Sequence, residues 1–194
     1  MTRTYRIFAL AALTSTFVIP AAQAGDGTVN FKGQLIGQTC TVSVNGGSNM
    51  GTVTLPTLGI TALGAVGATA GRTQFTIGLS ACGTGNSIQD FVQGLTGNSV
   101  IGKTASTYFE SGPGVDPTTR NIINTGGATG VQLQLLDSGG DVIKAGDPGQ
   151  PRTPAITNLA SNGGVMTYGV QYIANDVIAP GSVVGSVTYS IAYN

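Results

Sequence analysis

The sequence contains no histidine and no tryptophan, and charged residues make up only 8% of it. Without histidine, the chain cannot build a Ser-His-Asp or Cys-His nucleophile, a histidine-ligated zinc or haem site, or an imidazole proton shuttle. An average soluble domain carries about 25% charged residues, whereas here 8 basic side chains balance 8 acidic ones. The chain therefore lacks the basic surface that nucleic acid requires and an acidic block that would collect cations. These absences argue against a hydrolytic enzyme and against a nucleic-acid-binding protein.

Glycine and proline are frequent instead. The chain has 31 Gly and 8 Pro among 194 residues, roughly a fifth, which is below the quarter or more that marks low-complexity chains. Turn-forming residues recur between short alternations of apolar and polar residues, and no sustained 3.6-residue stripe is present. The sequence therefore predicts an all-β fold with little helix.

The N-terminal residues 1–24 have the pattern of a secretory signal peptide. Arg3 and Arg6 precede the apolar run Ile7–Ile19, and Ala22-Gln23-Ala24 fits the small-x-small cleavage pattern. The alternative interpretation, a membrane anchor, needs about 20 apolar residues, and a proline closes this run too early. We therefore expect cleavage after Ala24 and export of the mature chain.

The chain has two cysteines, Cys40 and Cys82. Two thiols of an exported protein usually pair, and the Cys-x-x-Cys spacing of a redox-active pair is absent. Closing a loop of about 42 residues stabilises a fold by about 4 kcal/mol in the chain-entropy model. We expect a structural disulfide between these cysteines.

Period-two alternation predicts strands along the mature chain. The predicted strands are 27–35, 38–44, 72–82, 105–110, 130–136 with a short partner near Val142, 166–172 and 183–193. The last is the longest of them and ends the sequence. Short strands at this spacing argue for a single β-sandwich of immunoglobulin-like type.

The two ends of the predicted sandwich are unusual. The strand at 27–35 carries a bulky apolar face close to the mature N terminus, and the strand at 183–193 has no successor with which to pair. Both are typical of unpaired edges, which soluble proteins normally blunt. The pattern thus indicates a fold with exposed pairing edges.

Five motifs follow one another behind the signal peptide. They are Gly27–Gly33 (GTVNFKG) with Cys40 seven residues later, Leu55-Pro56, Gly71–Cys82 (GRTQFTIGLSAC), Gly130–Asp137 (GVQLQLLD), and an end in which Gly181 lies thirteen residues before the terminus and Tyr193 is penultimate. In these motifs the sequence resembles the subunits of chaperone-usher pili, specifically the type 1-like fimbrial major-subunit (pilin) family. It departs from that family in the extra length at 83–103 and in the short run Gly25-Asp26 before the first motif.

The resemblance implies an all-β, incomplete immunoglobulin-like sandwich of six strands, whose seventh strand is supplied in trans by the N-terminal extension of a neighbouring subunit. It divides the chain into a signal peptide (1–24), a donor-strand extension (25–36) and a pilin domain (37–194). The implied donor residues are Val29, Phe31, Gly33 and Leu35, with the glycine where two backbones approach closely. The implied acceptor groove and chaperone contact comprise Gly181, Val183, Val187, Tyr189, Ile191 and Tyr193.

The function that the resemblance implies is structural, with no enzymatic activity, cofactor or metal. Subunits would polymerise by donor-strand complementation into a surface filament used in adhesion, after export through the periplasm to the cell surface. The expected partners are copies of the chain or related pilins, a periplasmic chaperone and an outer-membrane usher, with a host surface as a further candidate and no nucleic acid. The alternative is a minor tip-located pilin or a small glycan-binding adhesin that uses loops such as 83–103. A weaker alternative is a chain-terminating subunit.

Two further patterns have ordinary structural interpretations. Gly97–Thr104 satisfies the phosphate-loop pattern Gly-x4-Gly-Lys-Thr, but it leads into a strand-favouring stretch rather than a helix, so we interpret it as a chance match. Four aspartates lie in glycine-rich loops without the Asp-x-Asp-x-Asp spacing of a calcium loop, and we interpret them as solvated turn residues. These are Asp116, Asp137, Asp141 and Asp147.

Tyr189 and Tyr193 leave two interpretations open. By residue type alone they fit ordinary core or edge aromatics. Their phase with the other apolar residues of the terminal strand, together with the family resemblance, favours a place in the groove.

Overall fold

The structure, a computed structural model, describes residues 40–82, 104–152, 155–156, 159 and 163–193. These residues form nine β-strands and a single-turn 3₁₀ helix. These residues belong to the unit Leu35–Asn194. The 3₁₀ helix spans Ile60–Leu63. The strands are β1 (Thr41–Val44), β2 (Thr69–Ser80), β3 (Ala105–Phe109), β4 (Ile122–Ile123), β5 (Thr129–Leu136), β6 (Val142–Ile143), β7 (Ala155–Ile156), β8 (Gly163–Ala179) and β9 (Tyr189–Tyr193).

The strands form two antiparallel sheets. Sheet A has the order β1-β2-β8-β5-β4, with β6 paired to β5, and sheet B has the order β7-β3-β9. Six of the nine described strands have four residues or more, and β4, β6 and β7 have two each. The prediction of an all-β fold is confirmed, and helix in the described part of the chain is limited to 3₁₀ structure, at Ile60–Leu63 and at Leu159.

The core lies between the two sheets and is centred on three aromatic rings. The ring of Phe109 on β3 meets that of Tyr168 on β8 edge to face at 5.2 Å, and both contact Phe75 on β2, at 6.4 and 5.7 Å. Such pairs are worth about 0.5–1.5 kcal/mol beyond the area that they bury. They fix sheet B over the centre of sheet A.

Two strand predictions differ from the structure by more than three residues. The strand predicted at 166–172 extends over 163–179, because β8 pairs with both β2 and β5 and absorbs register shifts in each ladder that interrupt the simple alternation. The strand predicted at 183–193 is regular only at Tyr189–Tyr193. Among the described strands β8, and not the last one, is therefore the longest.

The irregular stretch before β9 has a physical explanation. Residues 182–184 bond to the chain at 124–128: Thr125 N–H donates to the Val184 carbonyl (2.7 Å), Ala128 N–H donates to Ser182 (2.9 Å), and Val184 N–H donates to the Asn124 side chain (2.8 Å). Because a side chain replaces one backbone partner, a regular ladder does not form. Regular pairing with β3 starts only at Tyr189.

Gln150 completes the pairing of β3 where sheet B ends. β7 covers only Ala105 and Ser106 of β3, so the backbone of Phe109 lacks a strand partner on that side. The buried Gln150 side chain takes that place: its oxygen accepts from Phe109 N–H (3.0 Å) and its amide donates to the Phe109 carbonyl (2.9 Å).

Replacing Gln150 with alanine is expected to lower the free energy of unfolding by about 1–3 kcal/mol, because the buried N–H of Phe109 loses its acceptor. Urea unfolding of the signal-free protein measures this. Gln134→Ala is the matched control, since the Gln134 oxygen is half-buried and accepts only from the Gln171 side chain (2.9 Å). Equal losses in the two variants would contradict the assignment.

Candidate functional site

Both sheets end in a strand with one free edge on the same side of the core. β1 is the terminal strand of sheet A, and β9 is the terminal strand of sheet B. Among the described residues, no strand pairs with the outer edge of either. An unpaired edge exposes a row of N–H and C=O groups that can bond to a further strand.

The apolar side chains beside these two edges are only half-buried, although they pack against the main core. One set lies on β1 and the segment after it, and the other lies on the C-terminal segment. We call the strip between the two sets the groove. It is lined by Cys40, Val42, Val53 and Leu55 on the first side and by Val183, Val187, Tyr189, Ile191 and Tyr193 on the second.

The structure thus brings together five of the six residues that the sequence predicted for the acceptor groove. The sixth, Gly181, lies against the backbone of Gly127 and Ala128, where a side chain does not fit. Val53 and Leu55 were not predicted as part of the site. Their spacing of two residues in a short run before a proline was the available signal.

A disulfide anchors the β1 side of the groove. Cys40 and Cys82 are bonded, with their Cα atoms 4.2 Å apart. They flank the paired residues Thr41 and Ser80, so the bond joins the start of β1 to the chain just after β2. It holds the edge strand β1 onto sheet A.

Tyrosine hydroxyls connect the two sides of the groove. The Tyr189 hydroxyl donates to the Asn49 carbonyl at 2.8 Å, and the Tyr193 hydroxyl accepts from Cys40 N–H at 3.4 Å. A third tyrosine, Tyr172 on β8, donates to the Pro56 carbonyl at 3.2 Å. The first two bonds hold the chain at 40–49 beside sheet B, and the third holds Pro56 beside sheet A.

Burial raises the pKa of Tyr189 and Tyr172 above the ordinary tyrosine value. The cause is desolvation, which disfavours the charged phenolate. Both hydroxyls therefore keep their protons at neutral pH and remain donors to the two carbonyls.

The donor residues predicted from the sequence lie outside the described residues, as do 1–39 as a whole and the insertion 83–103. Residues 97–103 of the phosphate-loop match also lie outside the described residues.

All four loop aspartates lie within the described residues. Asp116 is occupied by its own turn: its carboxylate accepts from the N–H groups of Thr119 and Thr118, which lower its pKa, and from the Gln132 side chain. Asp137 is buried and not solvated, and its carboxylate accepts from the N–H groups of Gly140 and Asp141.

Neither a metal cluster nor a membrane helix is found in the part of the chain that the structure describes. There, no group of three or more His, Cys, Asp or Glu side chains is placed to hold a metal ion. The same residues include no helix that is long and apolar enough to cross a bilayer.

Residues 29–194, which include the whole C-terminal side of the groove, match the family model described as fimbrial protein. The chain belongs to the fimbrial protein family. The members of this family are structural proteins without enzymatic activity. The recognition from sequence of a type 1-like pilus subunit is confirmed.

Curated fimbrial relatives match over nearly their full length. The major fimbrial subunit SMF-1 of Stenotrophomonas maltophilia (strain K279a) is 38% identical over 181 residues, which cover 90% of this chain and 96% of the relative. The F17 fimbrial protein of Escherichia coli is 34% identical over 187 residues, covering 95% and 94%. Such fimbrial subunits are surface proteins.

A solved structure of a chaperone-usher pilus has the same fold. Its subunit superposes with a TM-score of 0.55 at 21% identity, covering 91% of this chain and all of that subunit. The prediction of an incomplete immunoglobulin-like sandwich is confirmed. This fimbrial chain is a subunit of a chaperone-usher pilus.

Proposed function

We propose that this chain polymerises by donor-strand complementation, with residues 25–36 of one copy occupying the groove of the next. The observation that carries the proposal is the groove itself. Nine half-buried apolar residues lie between two sheet edges that have no strand partner among the described residues. One added strand would pair with β9 and cover those residues in a single step.

Residues 25–36 have the chemistry of that strand. Val29, Phe31 and Leu35 share one face, and Gly33 lies in the same row. In strand addition, main-chain hydrogen bonds provide affinity, and alternate side chains in pockets provide specificity. Each buried anchor contributes roughly 2 kcal/mol.

Each copy would both donate and accept a strand, so the contact between copies is heterologous. Such contacts form open filaments when the rotation does not close. The product is therefore a fibre on the cell surface, which serves adhesion. Residues 37–194 form the pilin domain of each subunit in the fibre.

Export would precede assembly. In this proposal residues 1–24 direct the chain to the periplasm and are removed there. Because an unfilled groove leaves apolar surface and a bare strand edge open to aggregation, a periplasmic chaperone covers it, and an outer-membrane usher receives the subunit. We infer that the chain is the main shaft subunit, since a copy with both donor and groove can occupy every position. The 38% identity to a protein named a major fimbrial subunit supports this.

Two variants with complementary defects test the assembly. A chain lacking 25–36 keeps its groove but donates nothing, whereas Ile191→Asp keeps the donor and places a charge in the groove. Each variant expressed alone is expected to give no ladder of detergent-resistant, heat-labile species on gels. Co-expression of the two is expected to give a dimer, because one has the donor and the other has the groove.

Val177→Asp is the matched control for the charge. Val177 is 85% exposed and lies on β8 away from the groove, so this variant is expected to form the wild-type ladder. A normal ladder from the chain lacking 25–36 would overturn the donor assignment. Counting copies along purified fibres separates a shaft subunit, present throughout, from a tip subunit, present once.

A further inference from the structure

Glu110 is the only glutamate of the chain, and its carboxylate lies over β9. It follows directly after β3, and its Oε1 accepts from the Ser190 hydroxyl at 2.6 Å. Its own N–H donates to the Thr188 carbonyl at 2.9 Å. The side chain therefore extends from β3 to the Ser190 hydroxyl on β9.

Ser190 is exposed and lies on the outer face of β9, because Tyr189 and Ile191 on either side of it face the core. A strand added to the free edge would lie about 4.8 Å away. Its outward-facing side chains would lie beside Ser190, and a lysine among them would be long enough to reach the Glu110 carboxylate.

The donor segment carries one basic side chain, Lys32, and it lies in the outward row with Thr28, Asn30 and Gln34. Every strand pair that the structure describes is antiparallel. If an antiparallel donor places Lys32 opposite Ser190, then donor residues 29–33 pair with all five residues of β9.

The same register matches side-chain sizes along the groove. Its core-facing pairs are Gly33 with Tyr189, Val29 with Tyr193, Phe31 with Ile191, and Leu35 with Val187. The Tyr189 ring crosses the groove to reach Asn49, so a residue without a side chain is favoured opposite it. A shift of two residues would instead put Phe31 opposite one of the two tyrosines, and a parallel donor with Lys32 at Ser190 would do the same.

We propose that Glu110, positioned by Ser190, binds Lys32 of the incoming donor strand and sets the antiparallel register in which Lys32 lies opposite Ser190. This inference rests on the proposed donor-strand assembly and adds its register and a specificity determinant. Among the described residues no basic side chain pairs with Glu110, so the carboxylate is available to the donor. Opposite charges across an interface favour the correct register and suppress incorrect ones.

Charge reversal in the full-length chain tests the pairing of Glu110 with Lys32, because every copy carries both the donor lysine and the acceptor glutamate. Lys32→Glu and Glu110→Lys each place like charges at every joint, whereas the double variant restores opposite charges. At low salt, each single variant is expected to lose its gel ladder about 3- to 10-fold faster on mild heating, and the double variant is expected to return to within about 2-fold of wild type. In 1 M salt the differences should shrink, because exposed charges are screened. Lys144→Glu, an exposed lysine elsewhere, should behave as wild type.

Cysteine cross-linking tests the register directly. The pair Asn30→Cys and Ala192→Cys, which leaves Lys32, Ser190 and Glu110 in place, is expected to form an intersubunit disulfide in fibres. Thr28→Cys with Ala192→Cys is not, because residues two positions out of register are about 7–8 Å apart or more. Charge-reversal single variants that match wild type, or cross-linking of Ala192→Cys to position 28 rather than 30, would overturn the proposed register while the ladder persists. Absence of any ladder from the wild-type chain would instead overturn donor-strand assembly itself.

Discussion

Moving residues 25–36 from the N terminus to the C terminus, through a short glycine-rich linker, should raise the melting temperature by roughly 8–16 °C relative to a chain that lacks them. The parent is the signal-free chain without its own 25–36, which has an open groove and no donor. The fused segment can turn back and pair antiparallel with β9, so that its three apolar anchors are buried at about 2 kcal/mol each. Ordering the added backbone costs more than these three anchors return, so the net gain depends on the main-chain hydrogen bonds to β9 and on covering the half-buried apolar residues of the groove. We expect a net gain of about 4 kcal/mol, and each kcal/mol raises the melting temperature of a domain of this size by about 2–4 °C.

Circular dichroism during heating measures the shift. The control is the same fusion with Val29→Asp and Phe31→Asp in the added segment, which keeps the linker and the length but cannot fill the groove. The control is expected to melt with the parent. If the fusion and its control melt together, then the groove does not accept this segment in cis.

Removal of the disulfide should have a comparable effect in the opposite direction. The bond joins residues 42 positions apart, and a loop of that size corresponds to about 4 kcal/mol in the chain-entropy model. Cys40→Ala with Cys82→Ala is therefore expected to lower the free energy of unfolding by about that amount. Alanine is chosen because Cys82 is buried and a serine hydroxyl there would lack a solvent partner.

Guanidinium unfolding of the C-terminal fusion and of its cysteine-free version measures the loss under conditions where the groove is filled. Reduced wild-type fusion is the control that breaks only the covalent bond. It should unfold close to the double variant, since both lack the cross-link. An unchanged midpoint in both would show that β1 is held to β2 by the sheet alone.

Much of the strand arrangement was predictable from local sequence. The alternation of Phe75, Ile77 and Leu79 indicated β2, and that of Val131, Leu133 and Leu135 indicated β5, because one face of each strand is buried and the other is not. Gln150 gave no such signal. A glutamine in a proline-rich loop looks like a surface residue until the fold brings it to the unpaired edge of β3.

The terminal segment shows where periodicity is insufficient. Val183, Val187, Tyr189, Ile191 and Tyr193 share a phase, and all five are half-buried against the core. The shared phase predicted one long strand, but Gly185 packs against Ile122 and the chain at 182–184 bonds to Asn124 and Thr125, so only the last five residues form a ladder. The period-two phase of the apolar residues predicts which side chains face inward, but it does not predict which backbone groups are hydrogen-bonded to another strand.

By itself the sequence determined the all-β class, the family and the apolar row along the C-terminal segment, because each of these depends on residue type and spacing along one stretch of chain. Only the tertiary structure decided that β1 and β9 end their sheets on the same side of the core, that Val53 and Leu55 line the strip between them, and that Glu110 lies over Ser190. These features join residues 80 to 153 positions apart along the chain, and local periodicity carries no information about contacts between residues so far apart. The contacts depend on how the two sheets pack, which is set by the whole core.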